Sequence, residues 1–102
     1  MMDSKAIKSI ACKINRIHVR DFHSHCMKAT FARILTCQKL YEIGIAPYDI
    51  GKILEIKVQR VVEYLDAYTN RMTTDWFFQT INRNFYSKIN EYESKGRNGD
   101  NG

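Results

Sequence analysis

A chain of 102 residues accommodates one small domain with tails, which excludes most multi-domain enzymes. Its 44% hydrophobic and 12% aromatic residues supply a core that disordered chains lack. The net charge of +5 suits polyanionic partners and is unevenly spread: through residue 40 eight basic side chains face two acidic ones, and the remainder holds eight basic and nine acidic.

Apolar residues recur at three and four positions, and Pro47 is the single proline, so the pattern predicts an all-α fold of about five helices. Asp3 or Ser4 caps a first helix with Ile7, Ile10, Ile14 and Ile17 on one face and Lys13, Arg16 and Arg20 on another. The polar run from Asp21 to His25 separates it from a second helix, about Ser24 to Ile43, whose buried stripe is Met27, Phe31, Ile34 and Leu35. Gly44 ends that helix, and Pro47 opens a third, because glycine tolerates a left-handed cap and proline lacks only an amide the first turn leaves unpaired.

The third helix stops near Leu54, where the apolar phase shifts at Ile56, and a fourth restarts at Val58 and runs to about Asn70. Thr73 or Thr74 caps a long aromatic fifth helix carrying Phe77, Ile81, Phe85, Ile89 and Tyr92. Residues 1–94 thus form a single helical domain, and the polar, glycine-rich segment 95–102 is expected to be a disordered tail.

The segment PYDIGKILEIKVQRVVEYLD, residues 47–66, resembles the helix-turn-helix of DNA-binding proteins. Its fifth position, where two helices cross closely, is Gly51, and its miniature core positions are Ile50, Leu54, Ile56, Val61 and Tyr64. The ninth position, usually glycine in the turn, is Glu55. Residues 44–54, GIAPYDIGKIL, are also similar to part of the C-terminal DNA-binding domain of the bacterial replication initiator DnaA and to related Trp-repressor-like domains. That family continues with D-H-[ST]-T-V where this chain reads KVQRV, so the resemblance implies the architecture and not the target site. A chain of this length leaves no room for the initiator's nucleotide-binding domain.

The resemblance implies binding to double-stranded DNA, with the helix that starts near Lys57 entering the major groove. Val58, Gln59 and Arg60 form its base-reading head, since arginine pairs with guanine, glutamine with adenine, and valine packs on the thymine methyl. Lys52 and Lys57, with Lys13, Arg16 and Arg20, supply phosphate contacts. Residues 47–66 nevertheless hold three basic and four acidic side chains, which requires Glu63 and Asp66 to turn away from DNA. The expected role is a small transcriptional, mobile-element or phage regulator.

A helical adaptor or inhibitor that contacts another protein is the competing expectation. Trp76, Phe78 and Tyr86 point away from the fifth helix's stripe and are its candidate interface, either for a protein partner or for homodimerisation on a palindromic site. His23, His25 and Cys26 with Cys12 or Cys37 lack the paired spacing of a zinc site, so no metal and no other cofactor is expected. No nucleophile, base and acid set appears, so no enzyme is expected. Three cysteines without a disulfide framework suit a reducing cytoplasm, or the nucleoid if the chain binds DNA. No apolar run approaches the roughly 20 residues of a membrane span, so no membrane partner is expected.

Overall fold

The computed structural model describes the backbone of residues 3–101 and the side chains of residues 3–95. The chain is 81% helical, in five α-helices with no strand among the described residues. They are α1 (Ser4–Ile14), α2 (Met27–Glu42), α3 (Pro47–Leu54), α4 (Val58–Thr74) and α5 (Trp76–Asn101), with a 3₁₀ turn at Val19–Asp21 between α1 and α2. No helix among the described residues is long and apolar enough to cross a membrane. Of the segment expected to be a disordered tail, the backbone of residues 95–101 continues α5, and Gly102 lies outside the described residues.

The second helix is the spine. It packs against each of the other four helices, and from Ala29 to Cys37 every residue except Thr30 is buried. A helix enclosed on all sides needs no polar face, so its burial is wider than the expected stripe. Met27, assigned to that stripe, instead lies exposed in the first turn. Ile7 and Cys12 from α1, Ile50 and Leu54 from α3, Val61 from α4, and Phe78, Phe85 and Ile89 from α5 complete the core around it. The thiols of Cys12 and Cys37 are enclosed here, whereas Cys26 is exposed at the start of α2.

Three helices end with a residue in the left-handed region. Gly44 (φ 100) follows α2 as expected, but Arg16 (φ 58) follows α1 and Glu55 (φ 58) follows α3. Each conformation turns following amides back onto unpaired carbonyls: Ile17 N–H donates to Cys12 O at 3.0 Å, and Ile45 N–H to Leu40 O at 3.1 Å. A side chain in this region costs about 1 kcal/mol, which is why glycine is the readable signal, why the stop at Arg16 was invisible in the sequence and why the stop at Glu55 showed only as a shift of apolar phase. The break at Arg16 corrects the expected basic helix face: Lys13 is in α1, Arg16 is past its end, and Arg20 is in the 3₁₀ turn.

The fifth helix begins elsewhere than expected. α4 continues through Thr74, and the hydroxyls of Thr73 and Thr74 each donate to Asn70 O at 2.8 Å instead of capping α5. The cap is Asp75, whose Oδ1 accepts from Phe78 N–H at 3.0 Å while Oδ2 pairs with Arg71 at 2.8 Å.

Candidate nucleic-acid interface

Residues 47–66 fold as two helices across a tight turn, α3 to α4. Gly51 makes the crossing: a β-carbon built there would lie 2.5 Å from the carbonyl oxygen of Ile56, closer than atoms can approach. Ile50, Leu54 and Val61 are buried, and Ile56 and Tyr64 pack partly buried against them. At the ninth position Glu55 adopts the left-handed conformation that glycine usually supplies, and Ile56 N–H donates to Gly51 O at 2.9 Å. The turn is therefore sharp without glycine, held by the packing on both sides of it.

At the start of α4, Lys57 is the N-cap residue and offers no side-chain acceptor to the first turn. The amide donors there stay available at the positive end of the helix dipole. Val58, Gln59 and Arg60 are all exposed on this turn, as is Lys57. Lys52 lies on α3 with its ammonium 4.9 Å from the centroid of the exposed Tyr48 ring. Glu63 does not turn away: its carboxylate pairs with Arg60 at 3.1 Å, both side chains being largely exposed. An exposed pair of this kind is weak enough for Arg60 to exchange partners.

Two of the other phosphate-contact candidates are not gathered here. Lys13 and Arg16 line a separate groove between α1 and α5, with Lys88, Glu91 and Tyr92, and none of its lining residues reaches α3 or α4.

The candidate interface on α5 divides in three. Trp76 is 76% exposed, as a contact residue should be, but Phe78 is fully buried, its ring 5.1 Å from Phe31 and 5.8 Å from Tyr68. Tyr86 is half-buried and joins α5 to α2, its hydroxyl donating to Glu42 at 2.6 Å. Burial and that carboxylate push the Tyr86 phenol up well beyond its ordinary range. Phe77, expected in the buried stripe, is exposed with Trp76. Met27 belongs to the same corner through Arg71, which approaches its sulfur at 4.0 Å and lies over the Phe31 ring.

Sequence reasoning missed Arg33. It is 7% exposed in the middle of α2, where the run FARILTC carries it among apolar neighbours. Its Nε donates to Tyr64 Oη at 2.7 Å, Nη1 to Phe22 O at 2.6 Å and Ser24 O at 2.8 Å, and Nη2 to Thr30 Oγ1 at 3.1 Å. One guanidinium thereby fixes the connection between α1 and α2 to both α2 and α4. A lone arginine inside an apolar helical run was the available signal, since such a charge must find partners.

Arg33 also lines a pocket of about 380 Å³ with His23, His25, Thr30, Glu55, Ile56, Lys57, Arg60 and Tyr64. Burial and then the positive charges of Lys8 and Arg33 hold the His23 imidazole below its ordinary value, against an opposing pull from Glu55. The residues weighed for zinc are dispersed: Cys12 and Cys37 lie in the core, and among the described residues no three metal-binding side chains gather.

No protein-family model, no curated protein and no solved structure matches the chain.

Proposed function

We propose that this protein binds double-stranded DNA in a sequence-selective way, inserting the first turns of α4 into the major groove while α3 braces it across the backbone. The observation that carries this reading is the close crossing at Gly51, which sets α4 against α3 with its uncapped first turn exposed. Val58, Gln59 and Arg60 then meet base edges, and Lys57 and Lys52 meet phosphates. Such a protein acts as a small regulator on the nucleoid and needs no cofactor.

The deciding experiment is affinity for random-sequence duplex across a salt series, followed by site selection. Wild-type binding should weaken linearly in log–log form, Arg60→Ala should relax selection at one base position, and Lys57→Ala should weaken all duplexes alike. Absence of binding at low salt, or identical behaviour of both variants, rejects the reading.

A second reading, capture of another protein, is favoured by the exposed corner of Met27, Trp76 and Phe77. It predicts that Trp76→Ala abolishes partner capture while Lys57 and Arg60 are freely replaceable. Phe78 is unsuited to that test because it belongs to the core.

A further inference from the structure

The charge of Arg33 has no counter-ion. Its hydrogen bonds go only to neutral oxygens, those of Tyr64, Phe22, Ser24 and Thr30, and among the described residues no carboxylate pairs with it within 4.0 Å. A guanidinium carries five N–H donors, so one on Nη2 remains without a protein acceptor. A charge this deeply enclosed ordinarily sits beside an acid, because its desolvation is otherwise uncompensated. Here the space beside it is the pocket under the start of α4.

Basic groups outnumber acidic ones on the other walls. Lys57 enters from the turn before α4, Arg60 from α4, and His23 and His25 from the connection after α1, while the Thr30 hydroxyl is already engaged with Cys26 O and Arg33. Glu55 is the single carboxylate on the lining, and Arg60 is held at the rim by Glu63. Tetrahedral oxyanions collect donors from several directions at once, which a set spread over two helices and two connections supplies and a flat carboxylate does not require.

We propose that this pocket is a seat for one phosphate group, held by Arg33 from below, by Lys57 and Arg60 from one side, and by His23 from the other. With a DNA backbone phosphate as the source, the seat rests on the DNA-binding reading above. It then locks α4 in register through residues that lie outside the helix-turn-helix. A bound phosphate also reverses the balance at His23: burial, Lys8 and Arg33 hold its proton off in the free protein, Glu55 opposes them, and the added negative charge draws the proton on. Binding therefore takes up a proton, and affinity for a backbone phosphate rises as pH falls through the raised His23 value of the bound state.

The test is an NMR titration of the full chain with inorganic phosphate against sodium chloride of equal ionic strength, following the His23 imidazole and the Lys57 and Arg60 amides. Saturable shifts at all three, an upward move of the His23 titration and about tenfold weaker binding in Lys57→Gln are expected. Lys57 is exposed, so that variant folds even where Arg33→Gln does not. Duplex salt series on the same proteins identify the source: a slope lower by about one phosphate in Lys57→Gln assigns the seat to the DNA backbone. Phosphate saturation in a wild-type protein that binds no duplex refutes the DNA reading and assigns the seat to free phosphates. Duplex binding with pocket shifts no larger than those from chloride overturns the seat and leaves the DNA reading standing.

Discussion

Two helices begin after a short break in the chain, and they begin differently. At α5, Asp75 accepts the Phe78 amide and pairs with Arg71, so the first turn is satisfied within the protein. At α4, Lys57 occupies the equivalent place, and its side chain accepts nothing from the turn that follows. A carboxylate at a helix start stabilises it, and a lysine there forgoes that stabilisation. The difference separates a helix start that serves only the fold from one left open to an outside anion.

The largest effect is expected where the open start is built. Gly51→Ala forces a β-carbon onto the Ile56 carbonyl and should cost about 3 kcal/mol in urea unfolding. A neutral result would mean that α3 and α4 do not cross closely, removing the basis of the comparison.

Asp75→Ala should lower the urea midpoint by less than Gly51→Ala does and leave polyanion affinity untouched. The Phe78 amide, and after it Arg71, hold the Asp75 carboxyl below its ordinary value. Its contribution is thus fully present above the unfolded carboxylate value near 4 and is lost as pH falls through the lowered native value. Wild type and variant should converge in acid, and a gap that persists there would assign the loss to something other than the carboxylate.

Lys57→Asp converts the open start into the sealed kind. It should raise stability by about 1 kcal/mol while lowering affinity for duplex or phosphate by more than about tenfold. Gain of stability without loss of binding would show that the uncapped turn has no anion to meet.

The smallest effect is Glu55→Gly, which relieves the left-handed strain but enlarges the freedom of the unfolded chain. A net gain of about 0.5 kcal/mol is expected in thermal unfolding. The same change removes the carboxylate from the pocket lining, so polyanion binding should tighten together with stability.

The parts that were legible in the sequence are those with unique local chemistry. Gly44, Pro47 and Gly51 each solve a backbone problem other residues solve badly, and the end of α2 and the start of α3 followed from the first two, while the end of α3 and the start of α4 followed from the apolar phase shift at Ile56. The fifth helix shows where periodicity alone misleads. A run of strict four-residue steps from Phe77 rotates by about 40° per step around a helix of 3.6 residues per turn. The buried face instead follows Phe78, Phe85 and Ile89, in which seven- and four-residue steps stay closer to one line. Arg33 could not be assigned because its partners are carbonyl and hydroxyl oxygens, three of them brought from elsewhere in the chain only by folding.

The distribution of thiols gives the protein a built-in reporter. Burial pushes the Cys37 thiol up to about 12 and raises that of Cys12, so neither offers thiolate to a reagent while the core is closed. Cys26 is exposed and follows His25 directly, beside the pocket under α4. A maleimide dye on the native protein should therefore attach at one position, already next to the surface whose occupancy is in question. The same reagent in denaturant should attach at three, so a single mass spectrum distinguishes folded from unfolded molecules without an engineered label.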